Sequence, residues 1–521
     1  MKKSLAAFLF VSQMFLTCGL GGGACAQGSS AAEGYFPEGE WRTSTPEEQG
    51  IDSELLLKMF DTIQAQNVPV HSVLLIRNGY LVCEAYFQPF HRDTRHDLFS
   101  ATKSFTSTLI GIAISEGKLQ GVDQKITDIF PDLKMPENSL GLEESTLENI
   151  LTMTAGHTTD SVDAVFGSRN WPQTFYSLPF STKPGTRFLY DSGASHLLSC
   201  ILKKTTGQDV EEYARERLLD PLGIHDYAWE KATDGNPTGG WGLRITPADM
   251  AKFGYLILHK GEWNGKQIVP AQWVEAATQK HSEAYWGENR GDDYGYQFWI
   301  NSFGGFRADG FAGQYVCVLP EQDLVAVFTS GINYSETYQP LKLMSDFVVP
   351  AIKSKVTLPA NDAAAKALAA RIAELENPTP HAVPALPETA SRISGKTFDM
   401  KAFISSFSLT FDGGATCTLS MVQQGRTITL PVGLDGVYRT TDIKKLGTLV
   451  WYPPYRGVAL KGRWEGDNTF ILDWQYVEEP YHEVYKFTFE GDSAVMEVTE
   501  YVVGCAGPMQ PYAKYDAVMK K

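Results

Sequence analysis

The most informative stretch of the sequence is Asp97-Leu-Phe-Ser-Ala-Thr-Lys-Ser-Phe-Thr-Ser-Thr-Leu-Ile-Gly-Ile-Ala-Ile-Ser-Glu-Gly-Lys118. Its apolar residues predict a buried helix with Ser100 and Lys103 in the first turn. Side chains three residues apart lie on the same face of a helix. A serine hydroxyl becomes a nucleophile when a base takes its proton, and a lysine can be that base if burial lowers its pKa. The stretch therefore predicts a Ser-Lys pair at the start of a helix.

The same Ser-x-x-Lys spacing occurs again at Ser115 and Lys118. Gly117 is the expected C′ residue of the helix, because glycine readily adopts the left-handed conformation that ends helices. Lys118 would then lie in solvent, which favours the first copy as the reactive one. Spacing alone leaves an ordinary helix serine as the alternative, so Ser100 needs partners from elsewhere in the chain.

Length, composition and charge limit the functional class. The chain has 521 residues, 43% hydrophobic and 20% charged, with a formal net charge of -16. These values predict a globular protein of two domains, or one large domain with an appendage. The acidic balance argues against nucleic acid and against an anionic membrane surface as partners.

The N-terminal residues have the pattern of a secretory signal peptide. Lys2 and Lys3 precede an apolar run and then small residues, which predicts a signal peptide over residues 1–26 and a leader over 27–44. A lipid-modified Cys18 or Cys25 is the alternative. No second long apolar segment follows, so we expect no transmembrane segment in the mature chain and an exported protein, periplasmic or extracellular.

The cysteines of the mature chain are scattered without the short spacings of a metal site. We interpret most of them as small buried hydrophobic residues and leave disulfide pairing open. They are Cys83, Cys200, Cys317, Cys417 and Cys505.

Apolar periodicity predicts an α+β fold for residues 45–355. A helix capped by Asp52 or Ser53 leads to a hairpin with its turn at Asn78-Gly79. Helical signals dominate from about residue 144 to 270, which indicates a helical subdomain inserted into a largely antiparallel sheet. Strand patterns resume from Tyr294 to Phe328, and a helix closes the domain.

The C-terminal part follows a different pattern. Residues 356–390 read as a solvated helix from Asn361 to Glu376 and a Pro-rich linker. Beyond it, apolar and polar residues alternate between Gly-containing turns. Residues 391–521 are therefore predicted to form an all-β barrel or sandwich.

Two further segments supply candidate partners for Ser100. Tyr190 follows a turn, and a tyrosine beside a serine and a lysine can relay protons if cationic neighbours lower its pKa. The Gly-rich segment Asp309–Tyr315 could bring a backbone N–H close to a developing oxyanion. The alternatives are that Tyr190 is an aromatic side chain with a packing role and that the Gly-rich segment is a plain strand entry. His157 and His196 are the histidines expected nearest a cleft, with structural roles.

Motifs of other enzyme classes are missing from the sequence. It has no Gly-x-Ser-x-Gly elbow, no His-Glu-x-x-His metal site and no nucleotide-binding glycine loop. We therefore expect neither a cofactor nor a metal.

The order and separation of three short motifs resemble the serine β-lactamase and penicillin-recognising family. They are Phe99-Ser-Ala-Thr-Lys-Ser104 for Ser-x-x-Lys, Tyr190-Asp-Ser192 for Tyr-x-Asn and Phe311-Ala-Gly313 for Lys-Thr-Gly or His-x-Gly. The resemblance is to the class C β-lactamase-like branch, which includes esterases, D-amino-acid peptidases and 6-aminohexanoate-dimer hydrolases, and it spans Thr45 to Ile352.

The resemblance implies an antiparallel sheet flanked by helices with a helical insertion. It also implies Ser100 as acylated nucleophile, Lys103 as its base and Tyr190 as the second proton-transfer group. Backbone N–H groups of Ser100 and of Gln314, which follows Gly313, would form the oxyanion hole. Acyl transfer would pass through an ester on Ser100 that water cleaves.

Two departures from the family pattern bear on the substrate. Ser192 replaces the usual Asn, and Phe311 replaces the Lys or His that would bind a substrate carboxylate. We expect a small-molecule ester or amide as substrate, cleaved by a serine hydrolase. The alternatives are a D-amino-acid peptidase or β-lactamase acting at the cell wall, and a penicillin-binding-like protein without turnover.

Overall fold

The structure is a computed structural model that describes residues 35–37, 39–137, 139–284, 292–442, 456–501 and 513–520. The predicted signal peptide, Cys18, Cys25 and Cys505 lie outside these residues. All the helices and strands below belong to one unit of the chain, Phe36–Lys521. No helix in the described ranges has both the length and the apolar character needed to cross a membrane.

Helices and an antiparallel sheet build the N-terminal part, and most of the helices are grouped in one stretch of the chain, as the α+β prediction expects. Most of the longer helices begin at side-chain caps; Asp52, for example, accepts hydrogen bonds from Glu54 N and Leu55 N. The helices are α1 (Ser53–Ala65), α2 (Thr102–Ser115), α3 (Ile126–Ile129), α4 (Leu147–Leu151), α5 (Val162–Phe166), α6 (Trp171–Ser177), α7 (Ser192–Thr206), α8 (Val210–Ala214), α9 (Pro247–Leu258), α10 (Ala271–Ala277), α11 (Gln339–Leu343), α12 (Val349–Ala351), α13 (Asp362–Glu376) and α14 (Glu388–Ile393).

An antiparallel sheet forms the centre of this part. The strands of the N-terminal part are β1 (Val70–Arg77), β2 (Tyr80–Tyr86), β3 (His96–Asp97), β4 (Ala228–Trp229), β5 (Leu243–Ile245), β6 (Glu262–Trp263), β7 (Lys266–Gln267), β8 (Ser282–Glu283), β9 (Asp293–Tyr294), β10 (Trp299–Ile300), β11 (Phe306–Gly310), β12 (Gln314–Leu319) and β13 (Leu324–Ser330). Within the described residues, the main sheet has the order β2-β1-β13-β12-β11-β10-β9-β8. Helices α3 to α8 lie between β2 and β8 in the chain, which confirms the predicted helical insertion.

The hydrophobic core between α1 and the sheet explains why these elements pack together. Strands β1, β12 and β13 are buried along their whole length, and α1 contributes Leu56, Met59, Phe60 and Ile63 to the same cluster. Such continuous burial is expected for strands covered on both faces. The sheet thereby gives a rigid support for the turn between β11 and β12.

Helix α13 differs from its prediction as a solvated helix. Leu368 on α13 is only 3% exposed and joins the core that α1 covers. Ala364 is also buried one turn earlier. The apolar residues recur at helical spacing, so they form a stripe that buries against the domain despite the polar residues between them.

The C-terminal part is a closed barrel, which decides between the two predicted β architectures. Its strands are β14 (Thr397–Met400), β15 (Ser406–Phe411), β16 (Thr416–Gln423), β17 (Arg426–Gly433), β18 (Arg439–Asp442), β19 (Gly457–Glu465), β20 (Thr469–Val477), β21 (His482–Glu490), β22 (Ser493–Glu500) and β23 (Ala513–Met519). In the described residues, nine of them follow the order β17-β16-β15-β14-β23-β22-β21-β20-β19, and β17 pairs with β19 to close the barrel. Alternate residues of β16 are buried, as expected for a strand with one face in a barrel core.

The four described cysteines, Cys83, Cys200, Cys317 and Cys417, are free and buried. Burial raises the pKa of the Cys83 and Cys317 thiols to about 12, so both remain protonated at neutral pH. They behave as small hydrophobic residues, in agreement with the sequence-based interpretation.

A buried ion pair joins the barrel to the N-terminal part. Arg95 Nε donates to Glu478 Oε1 at 2.8 Å, and both side chains are at least nine-tenths buried. Glu478 lies in the turn between β20 and β21, and Arg95 precedes β3. The two ends of the pair are therefore held by different parts of the fold.

Replacing Glu478 by alanine should destabilise the protein by about 3–5 kcal/mol, because Arg95 would keep its buried charge and lose its nearest carboxylate. Thermal and urea unfolding would measure the loss. The matched control is Glu465→Ala, which removes the 2.8 Å surface ion pair with Arg463, and surface pairs contribute little. Equal midpoints for the two variants would contradict this prediction.

Candidate active site

Ser100 lies in a tight turn between β3 and α2. The turn is a short 3-10 helix, Phe99–Ala101, directly before Thr102 starts α2. Phe99 has a φ of 44°, an unusual conformation for a residue other than glycine. Asp97 Oδ1 accepts a hydrogen bond from Phe99 N at 2.8 Å, which holds the turn in place. Ser100 is therefore presented at the helix start on a fixed backbone.

Lys103 is the immediate partner of Ser100. Its side chain is 1% exposed, and its Nζ lies 2.9 Å from Ser100 Oγ. The same nitrogen lies 3.3 Å from Ser192 Oγ and 2.8 Å from the Gly240 carbonyl oxygen. The structure thus brings together Ser100 and Lys103 of the first motif and Ser192 of the second.

Burial lowers the pKa of Lys103 to about 8, although the carboxylates of Asp160, Asp191 and Asp309 act in the opposite direction. A buried ammonium loses its hydration, which favours the neutral amine. A considerable fraction of Lys103 is therefore neutral near physiological pH. This is the state in which a lysine can accept a proton.

The three contacts of Lys103 decide where its lone pair points when it is neutral. A neutral amine keeps two N–H groups and one lone pair. The Gly240 carbonyl can only accept a hydrogen bond, and the Ser192 hydroxyl can also accept one. With both N–H groups used in this way, the lone pair faces Ser100 Oγ and can receive its proton.

Gly240 is a site residue that the sequence analysis did not assign. It lies in the segment Gly239–Gly242, where a Cβ on Gly239 would be 2.5 Å from Ser195 O and one on Gly240 would be 3.0 Å from Ser192 O. Only glycine allows this approach to α7. The Gly239-Gly240 pair was the only signal in the sequence. It could not show that the Gly240 carbonyl is an acceptor, because a backbone acceptor has no characteristic side chain.

Tyr190 lies on the other side of Ser100, in the loop before α7. It forms a hydrogen bond with Ser100, and its ring centroid is 4.9 Å from Lys103 Nζ. Trp299 stacks on the ring at a centroid distance of 5.9 Å. The tyrosine is therefore fixed next to both residues of the Ser-Lys pair.

The pKa of Tyr190 is raised, whereas the sequence analysis required a lowered pKa for a proton relay. Burial raises the pKa of the phenol; the hydrogen bond with Ser100 opposes this rise, and Asp309 and Asp160 add to it. The nearby lysine does not outweigh burial, contrary to the expectation of a lowered value. Tyr190 is therefore a neutral phenol that can donate a proton.

Asp191 anchors the segment that carries Tyr190 and Ser192. As N-cap of α7 it accepts a hydrogen bond from Ala194 N, and it also accepts from Ser161 Oγ at 2.6 Å. His157 Nδ1 lies 2.6 Å from its other oxygen. Burial alone would raise the pKa of Asp191, but the bonds from His157 and Ser161 hold it below its usual value. His157 is thus a structural histidine, as expected.

The turn between β11 and β12 forms the opposite edge of the site. Gly310 packs so closely on the turn that carries Ser100 that a Cβ there would lie 2.1 Å from Leu98 O. Gly313 has a φ of 88°, in the left-handed region that glycine adopts without strain. The Gln314 side chain donates from Nε2 to Ser330 O at 2.7 Å, which locks the start of β12.

Phe311 belongs to the same turn, and its ring contacts Phe99 edge-on at a centroid distance of 5.4 Å. Both rings are partly exposed. The position where the resemblance predicted a cation therefore presents an aromatic surface beside Ser100.

An open groove of about 940 Å³ borders Tyr190. Its walls combine charged and apolar side chains, including Asp160, Arg187 and Phe188. The groove therefore offers room for a small molecule beside Tyr190.

Within the described residues, one cluster has residue types that bind metals: the buried His196 and Cys200 and the partly exposed Asp234. The backbone N–H of Gly239 donates to His196 Nδ1 at 3.2 Å, so the proton of the neutral ring lies on Nε2. Burial lowers the pKa of His196 to about 3 and raises the pKa of the Cys200 thiol. Without a metal ion, both side chains are therefore neutral and pack in the interior.

The rate of serine acylation should rise with pH as Lys103 loses its proton. Below its pKa of about 8, the neutral fraction falls about tenfold per pH unit. We expect kcat/KM for an ester to increase from about pH 6 and to level off above about pH 8. A flat profile over this range would contradict Lys103 as the base.

A control is needed because burial also raises the pKa of Glu479 to about 8. The variant Glu479→Gln keeps the neutral form of that side chain at every pH. The inflection near pH 8 should remain in this variant if Lys103 causes it.

Comparison with protein families gives a match over the part of the chain that holds this site. The Beta-lactamase family model matches residues 56–348, which end before the barrel begins. The 6-aminohexanoate-dimer hydrolase of Paenarthrobacter ureafaciens is 25% identical over 280 residues, or 49% of this chain and 70% of that protein. A beta-lactamase of Escherichia coli K12 is 24% identical over 342 residues, or 52% and 86%.

Two solved structures have a similar fold. A Bacillus anthracis protein provisionally assigned as a 6-aminohexanoate-dimer hydrolase aligns with a TM-score of 0.51 and 21% identity, covering 62% of this chain and 89% of that one. A provisionally assigned beta-lactamase of Bacteroides dorei aligns with a TM-score of 0.50 and 19% identity, covering 58% and 100%.

Proposed function

The chain belongs to the beta-lactamase family of serine hydrolases, and we propose that it cleaves an ester or an amide through an acyl-enzyme on Ser100. The observation that carries the proposal is the 2.9 Å contact between Ser100 Oγ and the buried Lys103 Nζ. A serine needs a base at this distance to become nucleophilic. Lys103 Nζ lies at this distance from Ser100 Oγ, and burial lowers the pKa of Lys103.

Acylation begins when neutral Lys103 accepts the proton of Ser100. Ser100 Oγ attacks the substrate carbonyl carbon, and the carbonyl electrons move to the oxygen. In the proposed oxyanion hole, the backbone N–H groups of Ser100 and Gln314 donate to this oxygen. The tetrahedral intermediate then collapses to the ester on Ser100 and expels the leaving group.

Tyr190 supplies the proton that the leaving group takes. Its raised pKa keeps the phenol protonated until the leaving group develops negative charge. The ammonium of Lys103 then returns a proton to Tyr190, so both groups recover their starting states. In deacylation water attacks the ester and its proton passes to Lys103, which then gives this proton to Ser100 Oγ as it leaves.

The substrate class follows from the aromatic surface at Phe311. A penicillin carries a carboxylate that a cation at this position would bind, whereas an aromatic ring favours a neutral group. Neutral esters and amides are therefore proposed over β-lactams. One relative is the 6-aminohexanoate-dimer hydrolase of Paenarthrobacter ureafaciens, and hydrolysis of such a dimer is amide cleavage.

The test combines a covalent probe with three substrates. The full chain is incubated with a fluorophosphonate, and peptide mapping by mass spectrometry identifies the modified residue. p-Nitrophenyl esters, a 6-aminohexanoate dimer and nitrocefin are assayed in parallel. Ester or amide turnover with the adduct on Ser100 supports the proposal. Nitrocefin turnover alone would favour a β-lactamase, and an adduct elsewhere or no adduct would refute Ser100 as nucleophile.

We also propose that the protein is exported, with residues 1–26 as its signal peptide. Residues 45–355 are proposed as the hydrolase domain, 356–390 as the connecting helix and Pro-rich segment, and 391–521 as the barrel domain. Mass spectrometry of the protein from its native cell envelope or medium would give its first residue and reveal a lipid on Cys18 or Cys25.

A further inference from the structure

The turn Glu478–Tyr481 of the barrel reaches the segment that leads to Ser100. The backbone N–H of Asp97 donates to Glu478 O at 2.9 Å. Pro480 lies against the end of β13, where a Cβ on Gly331 would be 2.6 Å from Pro480 O. The barrel is therefore in direct contact with the strands that build the site.

Buried ionisable side chains hold this turn in place. Arg244 Nη2 donates to Glu479 Oε1 at 2.7 Å and lies 2.9 Å from Asp97 Oδ2. The same Asp97 caps the nucleophile turn through Phe99 N. Arg244, Asp97 and Glu479 are all at least nine-tenths buried. This cluster, together with the pair Arg95–Glu478, gives the turn a defined position relative to Ser100.

Tyr481, the last residue of this turn, brings an aromatic ring to the site. Tyr481 meets the Phe99 ring edge-on at a centroid distance of 6.2 Å, and Phe99 meets Phe311 in the same way at 5.4 Å. All three side chains are partly exposed. Phe99 precedes Ser100 in the chain, and Phe311 lies in the turn that leads to Gln314.

We propose that Tyr481 of the barrel, with Phe99 and Phe311, forms an aromatic wall that binds an apolar group of the substrate next to the scissile bond. The inference rests on the proposed function and specifies its substrate: an ester or amide with a hydrocarbon chain or ring close to the carbonyl. Tyr481 is a specificity-determining residue in this proposal, and the chemistry remains with Ser100, Lys103 and Tyr190.

The position of the wall determines which substrates it favours. Aromatic rings offer large apolar surfaces with few rotatable bonds, so they bind apolar groups at low entropic cost. Each additional methylene that such a surface buries contributes about fourfold to kcat/KM. A short polar acyl group gains nothing from this contact.

The alternative is that Tyr481 only fastens the barrel to the hydrolase part. Substrate selectivity distinguishes the two roles, because the loss of a purely structural contact would change kcat/KM for all substrates alike. The test measures kcat/KM for p-nitrophenyl esters of increasing acyl length, and for acetate esters of increasing alcohol length. The variants are Tyr481→Ala, Tyr481→Phe and the control Tyr515→Ala.

Tyr515 is a suitable control because its ring meets Phe403 edge-on at 6.0 Å within the barrel. Its loss removes a similar aromatic contact from the same domain. We expect the ratio of kcat/KM for long over short chains to fall about tenfold or more in Tyr481→Ala, in at least one of the two series. Tyr481→Phe and Tyr515→Ala should keep the wild-type ratio.

An unchanged ratio in Tyr481→Ala, in both series, would overturn the inference. Fluorophosphonate labelling of Ser100 in the wild type and in Tyr481→Ala separates this outcome from failure of the proposed function. If wild type is labelled and turns over esters while Tyr481→Ala keeps wild-type selectivity, only the aromatic wall is refuted. If wild type is neither labelled nor active, the proposed function itself fails.

Discussion

Replacing Ser100 by alanine is expected to lower ester or amide turnover by on the order of 10⁴-fold or more, the scale on which serine enzymes lose activity without their nucleophile. The variant has no oxygen to form the acyl-enzyme, and Lys103 would have no proton to accept. Since Ser100 is only half-buried, the fold should tolerate the change. Steady-state kinetics and intact-protein mass after a fluorophosphonate pulse measure both consequences.

The chain provides a matched control in Ser115→Ala. Ser115 has the same spacing to a lysine, but it is exposed at the end of α2, where its hydroxyl donates to Ile112 O. Activity and labelling should remain at the wild-type level in this variant. If Ser100→Ala kept its turnover, another residue would have to be the nucleophile.

Replacing Lys103 by alanine should have the second large effect. Acylation should slow by about 10²- to 10⁴-fold, because this is the usual contribution of a positioned base. The serine proton would have no acceptor at 2.9 Å, and the remaining phenol of Tyr190 is already protonated. The burst of p-nitrophenol in the first turnover measures acylation directly. Lys103→Met fills more of the buried space than alanine and shows whether any loss comes from an altered fold.

Lys118→Ala is the corresponding control, because Lys118 is exposed beyond the end of α2. It should acylate like wild type. Near wild-type acylation by both Lys103 variants, with melting temperatures unchanged, would remove Lys103 from the mechanism. A loss of activity that merely followed a lower melting temperature would indicate a structural role.

The sequence was most informative where function and local structure depend on the same short segment. Ser100 and Lys103 lie one turn apart, so their proximity follows from helix geometry alone. The prediction that Gly117 ends the helix was correct, since it has a φ of 68° directly after the C-cap. The hairpin at Asn78-Gly79 also followed from local turn chemistry.

Interactions between distant segments were much harder to predict. The Gly240 carbonyl is 137 positions from Lys103, and a backbone acceptor has no side-chain signature. The raised pKa of Tyr190 depends on how deeply its ring is packed, which no local pattern encodes. Helix α13 appeared solvated because its apolar stripe is narrow.

By itself the sequence determined the family, the α+β class, the order of the three motifs and the alternating strands of the C-terminal part, because helix and strand periodicity are local properties. Only the tertiary structure decided that the strands close into a barrel and that its turn Glu478–Tyr481 packs beside Ser100. Those features depend on contacts such as Arg95 to Glu478, which are 383 positions apart in the chain. Burial and distance exist only once the chain has folded, and they give Lys103 its pKa and Ser100 its partners.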